Sequence, residues 1–263
     1  MSVTVSESTV APPTLVTNTS YTTWSPWTTV EPLAGVCRFP TRRRRTGATA
    51  VKLTARDLAR ISRGTLADYE QRADDFWEGT RGHDVSQNIA ALLAAIEGAP
   101  PFAILDFGCG PGRDLATFAA LGHEAIGLEG SARFAAMARR HSGCAVWQQD
   151  FLRLDLPQAR FDGVFANASL FHVPGQELPR VLGELAAALR PRGVLFASNP
   201  RGPDEEGWRG ERYGAFHSLA GWRGFMAAAG LVEVDHYYRP AGLPRDEQPW
   251  LASVWRKLPP DGD

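Results

Sequence analysis

Apolar residues along this 263-residue chain change their period several times, and each change marks an element. Leu53, Leu58, Ile61, Leu66, Tyr69 and Phe76 recur at helical spacing. They predict one helical stretch through "LTARDLARISRGTLADYEQRADDFWEGT". After "RGHDVS" a second helix reads "QNIAALLAAIEG", with Asp84 or Ser86 to cap it and Gly98 to end it. Pro100 and Pro101 stop any helix. From there the pattern alternates. "FAILDFG" is a short apolar run, a buried strand; "RDLATFAALG" is a helix; "EAIGLEG" a strand; "SARFAAMARRHSG" a helix. "CAVWQQD" and "FDGVFANAS" read as strands, "GQELPRVLGELAAALRPRG" as a helix closed by Pro191 and Gly193. "GVLFASN", the helix "SLAGWRGFMAAAG", "LVEVDHYYR" and "PWLASVWRKL" complete the series. Strand alternating with helix is the signature of an α/β fold, a parallel sheet covered on both faces, with right-handed connections. Ligands of such sheets sit at the carboxyl ends of the strands.

The first fifty residues break this pattern. Ser2 to Thr29 is rich in Ser and Thr, and Glu7 and Glu31 are the only acids before the run Arg42 to Arg45. Residues 1–52 therefore read as a segment outside the folded domain of 53–263, buried little by its own composition. Two readings fit it: a flexible tail, or an organelle transit peptide, which is Ser-rich and acid-poor. The protein is expected in the cytoplasm, or in an organelle if the second holds. A formal net charge of -1 argues against a dedicated nucleic-acid binder. Cys37, Cys109 and Cys144 form no disulfide framework, the six histidines show no ligand spacing, and no metal is expected. No apolar run approaches a membrane span.

Gly108, Gly110 and Gly112 follow a strand and open a helix, the context for a loop that approaches a ligand closely. A dinucleotide fingerprint would put its third glycine where Arg113 stands. Asp106 sits just before the loop, where a carboxylate repels a pyrophosphate and suits a cationic ligand. A P-loop is excluded, because no Gly-Lys-Ser/Thr follows. Glu129 ends the next strand, at the place where a carboxylate accepts from ribose hydroxyls. Asp150 ends the third, and Phe151 beside it can cover an adenine ring while the acid accepts from the amino group. The ligand implied is an adenosine without phosphate and with positive charge, which S-adenosylmethionine satisfies.

At these residues the chain resembles the class I S-adenosylmethionine-dependent methyltransferases, over roughly Leu66 to Leu258. "DFGCGPGRD" looks like their first motif, "GLEGS" their acidic ribose loop, "QQDF" their adenine contact, "FDGVFANASLFHVP" the motif after the fourth strand, and "LRPRGVLFAS" the following helix–strand turn. The resemblance implies a Rossmann-like, mainly parallel sheet of seven strands with the last antiparallel and helices on both faces. It implies cofactor contacts at Asp106, Gly108, Cys109, Gly110, Arg113, Glu129, Gly130, Ser131, Gln149, Asp150, Phe151, Ala166 and Asn167. N-terminal aromatics, here Tyr69 and Trp77 on one helix face, would close over the methionine end. It also implies a small-molecule acceptor: a thiol, amine, carboxylate, hydroxyl or oxyanion.

Methyl transfer needs the acceptor lone pair held in line behind the methyl group in a dry site, and needs a base only for a proton of high pKa. His172 is the candidate for that proton. Ser169 lies beside it as a substrate contact. The segment "NPRGPDEEGWRGERYGAFH" is long for a strand–helix connection and reads as a lid, with Arg201, Arg212 and Tyr213 as acceptor contacts and an arginine fork for a carboxylate or oxyanion. Three rivals stand beside this reading. A nicotinamide-linked oxidoreductase conflicts with Asp106 and Arg113. A nucleic-acid amino-methyltransferase would carry Asn/Asp-Pro-Pro-aromatic where this chain has "NASLF". A non-catalytic cofactor-binding subunit of a modification complex would share the cleft and lack turnover.

Overall fold

A computed structural model describes residues 52–259. The expectations for the N-terminal segment fall on residues outside that range. Seven strands form one sheet: β1 (Ala103–Phe107), β2 (Glu124–Glu129), β3 (Val146–Gln148), β4 (Phe161–Asn167), β5 (Leu189–Pro200), β8 (Leu231–Arg239) and β9 (Trp250–Lys257). Their order is β3-β2-β1-β4-β5-β9-β8. β1 to β5 pair in parallel, and β9 alone runs against its neighbours, wedged between β5 and β8. The sheet reverses its build order between β1 and β4, which is where ligands bind in open sheets of this kind.

The central strands are apolar on both faces because both faces are covered. Leu105, Phe107, Val164, Leu195 and Ala197 pack toward α6 (Leu178–Ala188) and α7 (Leu219–Ala228), meeting Leu182, Leu185, Trp222 and Met226. Ile104, Phe165 and Phe196 face the other way, onto Ile89 and Leu92 of α3 (Ser86–Ala95) and Phe118 of α4 (Arg113–Ala120). Each such fully buried side chain is worth roughly 1.5–3 kcal/mol over leaving it in water. The N-cap of α3 is Val85, neither Asp84 nor Ser86, and the Asp84 carboxylate accepts from Ser86 N at 2.9 Å just ahead of it.

Three stretches differ from the sequence expectation. The helix expected to close at Pro191 and Gly193 ends at Ala188, because Leu189 already pairs with Phe161 in the sheet. The first helical run is two helices, α1 (Ala55–Gln71) and α2 (Ala73–Thr80), parted at Arg72 with φ -105° and ψ 19°. The break turns Ala73 and Phe76 onto Phe134 and Met137 of α5 (Ala132–Ser142). Local helical periodicity cannot see that tertiary contact. The expected long loop is a hairpin, β6 (Glu205–Arg209) and β7 (Arg212–Phe216), turning through Gly210 at φ 59°. It is seated on α1. Tyr213 N donates to Thr65 Oγ1 at 3.1 Å, Arg212 pairs with Asp68 at 3.1 Å, and a Cβ on Gly64 would stand 2.7 Å from the Trp208 ring. Among the described residues no helix is long and apolar enough to cross a membrane.

Candidate functional site

The carboxyl ends of β1, β2 and β3 open on one cleft, roofed by α1. It encloses about 690 Å³ counting its open mouth, within the span of small-molecule sites. Its floor is the glycine loop. Gly108 stands at φ 77°, and a Cβ there would lie 2.4 Å from the Ser169 Cβ. Only glycine permits both the backbone angle and that approach. Gly108 N and Cys109 N both donate to Leu128 O, at 2.8 and 3.1 Å, tying the loop to the end of β2.

Glu129 lines the cleft. Its Oε2 accepts from Gly110 N at 2.9 Å and its Oε1 from Ser131 N at 2.8 Å. Burial pushes this carboxyl up to about 7, against the pull of those backbone donors. Asp150 Oδ1 accepts from Leu152 N at 2.9 Å, and Oδ2 accepts the Ser62 hydroxyl of α1 at 2.5 Å. Phe151 stacks on Phe107, ring centroids 4.3 Å apart, and presents itself to the cleft. Gly130 lies under the roof: a Cβ there would stand 2.7 Å from Leu66 Cδ2.

At the far end Tyr69, Phe76 and Phe134 form an aromatic wall, with ring centroids 5.2–5.6 Å apart. Tyr69 Oη meets His172 Nε2 at 2.7 Å, and His172 Nδ1 meets Tyr213 O at 2.7 Å. A carbonyl can only accept, so Nδ1 carries the imidazole hydrogen. Burial holds His172 down at about 4, so the ring is neutral and Nε2 accepts from the Tyr69 hydroxyl.

Of the residues singled out in the sequence, Tyr69, Gly108, Gly110, Glu129, Gly130, Asp150, Phe151, Ser169 and His172 line this cleft together. Others stand behind it. Asp106 is buried with Oδ2 lacking a partner, and burial, then the neighbouring Asp114 charge, pushes its carboxyl well up. Cys109 is buried against Gly127, and its thiol is pushed well up by burial, which suits a filler and not a nucleophile. Ser131 caps α5, its Oγ accepting from Phe134 N at 3.1 Å. Gln149 clasps the backbone of Asp155 at 2.8 and 3.0 Å, and Ala166 is inside the sheet. Arg113 forks onto Asp114 at 2.6 and 2.9 Å and reaches Thr80 O at 2.9 Å. Asn167 bridges Asp114, at 3.1 Å, to Asn88, at 2.9 Å.

Trp77 stacks on His141, centroids 4.2 Å apart, and Phe76 takes the place beside Tyr69. The break at Arg72 is the reason: positions 69 and 77 do not share one helix. Arg201 donates to the carbonyls of Gln248, at 2.7 Å, and Arg245. Arg212 is buried against Asp68, its guanidinium 5.0 Å from the Tyr69 ring centre. Tyr213 serves the site through its carbonyl, while its ring packs edge-on to Trp208. Sequence reasoning passed over Ile61, Ser62, Leu66, Phe76 and Phe134 in the wall. Ile61, Leu66, Tyr69 and Phe76 stood in the sequence only as apolar positions at helical spacing, and all four turn into the cleft.

Residues 104–193 match the model of a family described as a methyltransferase domain. The chain is 34% identical over 149 residues to a trans-aconitate 2-methyltransferase of Azoarcus sp. (strain BH72), a match covering 56% of this chain and 58% of that protein. It is 32% identical over 99 residues to a ubiquinone biosynthesis O-methyltransferase of Rhodopseudomonas palustris (strain BisB5), covering 36% and 38% respectively. The chain spans about half the length of the curated relatives it matches. Among solved structures, the Burkholderia thailandensis 1,6-didemethyltoxoflavin-N1-methyltransferase, with bound 1,6-didemethyltoxoflavin and S-adenosylhomocysteine, superposes with a TM-score of 0.62 at 23% identity, over 80% of this chain and 93% of that one. The fold is that of the Rossmann-like S-adenosylmethionine-dependent methyltransferases. Within it, residues 104–193 are the stretch similar to that methyltransferase domain.

Proposed function

We propose that the protein transfers a methyl group from S-adenosylmethionine to a small-molecule acceptor. The observation that carries this reading is a single cleft holding Glu129 and Asp150, at the ends of adjacent parallel strands, together with the glycine loop. The residues fit the cofactor. Each Glu129 oxygen takes one backbone N–H and keeps a lone pair for a ribose hydroxyl. Phe151 supplies a ring face for the adenine, and Asp150 an acceptor for its amino group. The Asp106 oxygen without a partner, behind the loop, suits an ammonium reached directly or through water. The wall of Tyr69, Phe76 and Phe134 suits a sulfonium.

Bound there, the cofactor supplies an activated methyl group. The chain's own work is positioning and exclusion of water. Ile61 and Leu66 of α1 close the cleft from above, and the Ser62–Asp150 hydrogen bond pins that roof to the third strand end. The acceptor is a small molecule and no nucleic acid, a reading supported by the size of the cleft, about 690 Å³ with its open mouth, and by the chain's net charge of -1. Residues 1–52 act as a tail in the cytoplasm, or as an address if the protein enters an organelle.

Calorimetry with S-adenosylmethionine and S-adenosylhomocysteine, followed by labelled methyl transfer to trans-aconitate, catechols, thiols and amines, tests the reading. Binding with a methylated product supports it. Binding with no product from any acceptor class favours the non-catalytic subunit, and no binding overturns both.

A further inference from the structure

Three observations at the aromatic end of the cleft belong together. Tyr69 Oη and His172 Nε2 are 2.7 Å apart, and both residues line the cleft. The other imidazole nitrogen is anchored on the Tyr213 carbonyl of the hairpin. The Arg212 guanidinium, next along the same strand, hydrogen-bonds Tyr69 and pairs with Asp68. The anchor sets the tautomer, and the tautomer sets the direction of the chain of hydrogen bonds. Tyr69 donates to His172 and accepts from Arg212, so it presents its one remaining lone pair, not a proton, to whatever enters the cleft. Such a group receives an N–H or O–H and offers nothing to a carboxylate.

We infer that Tyr69 is the catalytic residue that receives the acceptor's proton, that His172 is a positioning residue that stores it, and that the acceptor is an N–H or O–H nucleophile. The inference rests on the methyl-transfer reading. As the acceptor's heteroatom bonds to the methyl carbon, its proton passes to Tyr69 Oη, and the Tyr69 proton passes to His172 Nε2. The electron pair of the carbon–sulfur bond stays with sulfur. One positive charge disappears at the sulfonium and one appears at the imidazolium, so the buried site keeps its charge throughout. Burial holds His172 neutral, and loss of the sulfonium charge removes a further opposition to charging it, so the ring takes the proton more readily after transfer than before. Arg212, Asp68 and Glu129 are the charged groups that face this pair from β7, α1 and β2, and Arg212 faces both members.

The test needs no acceptor. Nitrogen-15 labelled histidine spectra of the whole protein report the tautomer and protonation of His172, with His172→Gln assigning the signal. Saturating S-adenosylmethionine and S-adenosylhomocysteine are compared, their binding checked by calorimetry. The inference expects the hydrogen on Nδ1 with either ligand. It expects at least about a tenfold higher proton affinity of His172 with the thioether than with the sulfonium. It also expects Tyr69→Phe to leave both ligands bound within about threefold while lowering the proton affinity of His172, because the hydroxyl no longer answers the ring. A hydrogen on Nε2, or the same proton affinity with both ligands bound, overturns the relay and leaves methyl transfer standing. Failure of both ligands to bind removes the functional reading and the relay with it.

Discussion

Glu129 and His172 are both buried, and burial moves them in opposite directions. Glu129 has a folded pKa of about 7, above its ordinary value of 4.5. Its stabilising contribution is therefore full below pH 4.5 and is lost as pH rises through 7. Ribose hydroxyls favour the ionised form, so binding should lower that pKa and expel a proton. Titrations near pH 6.5 in buffers of different ionisation heat should show fractional proton release; none would contradict the ribose assignment. Glu129→Ala should weaken cofactor binding at least about tenfold, through lost charge-assisted bonds. His172 has the reverse sign: a folded value of about 4 against 6.5 means stability present above pH 6.5 and lost as pH falls toward 4. Relative to His172→Gln, the parent should lose about 2 kcal/mol between pH 7 and pH 5. Parallel stability curves for the two proteins would sink that account. Glu129 was legible in the sequence from its place at a strand end. Its raised pKa was not, because the roof that buries it comes from α1, more than fifty residues upstream by the numbering.

At the scale of elements, the close fit of α4 to α5 depends on Gly112. This residue is the N-cap of α4 at φ 92°, and a Cβ there would lie 2.6 Å from the Ala138 Cα. Gly112→Ala therefore combines a left-handed backbone penalty with overpacking, about 2–5 kcal/mol together. Gly122, at φ 84°, has nothing within 4 Å of its Cβ position. Gly122→Ala should cost only the backbone part, about 1–2 kcal/mol. Equal losses for the two, measured by denaturant unfolding, would mean that packing on α5 is not what demands the glycine. The third glycine thus comes one residue earlier than in a dinucleotide loop for the sake of helix packing. The hairpin β6–β7 shows what an element-level reading misses. Its residues look like an open loop in sequence, with glycines and charges interspersed, yet Arg212 and Tyr213 are buried because α1 supplies Asp68 and Thr65.

Across the whole molecule, a part-buried polar chain joins the start of α4 to the far edge of the sheet. Arg113 holds Asp114, Asp114 accepts from Asn167, and Asn167 accepts from Asn88. Asn88 in turn accepts from Tyr237 Oη at 2.9 Å and Arg239 at 3.0 Å. Four elements, α4, β4, α3 and β8, meet in it. Asn88→Ala would leave Asn167, Tyr237 and Arg239 short of partners at once, at a cost of about 2–3 kcal/mol. Urea unfolding measures this, and a loss below about 0.5 kcal/mol would show that water replaces the amide without penalty. The network was invisible in the sequence: Asn88 and Asn167 are ordinary residues until tertiary contact puts them side by side.

What the sequence by itself determined is the set of elements and the chemistry at the strand ends. Alternating apolar runs and capped helices are local signals, and the glycine loop, Glu129 and Asp150 follow strands directly, so their place at the carboxyl edge is implied by chain order. The sheet order and the reversed β9 agree with the resemblance carried by those same motifs. Tertiary structure decided which side chains share the cleft and which merely stand near it. It parted α1 from α2, put Phe76 where Trp77 was expected, folded the expected lid into a hairpin seated on α1, and joined Tyr69 to His172 across 103 residues of chain. The physical reason is that local propensity acts within a few residues, whereas burial, ion pairing and tautomer choice depend on neighbours that only the folded chain brings together.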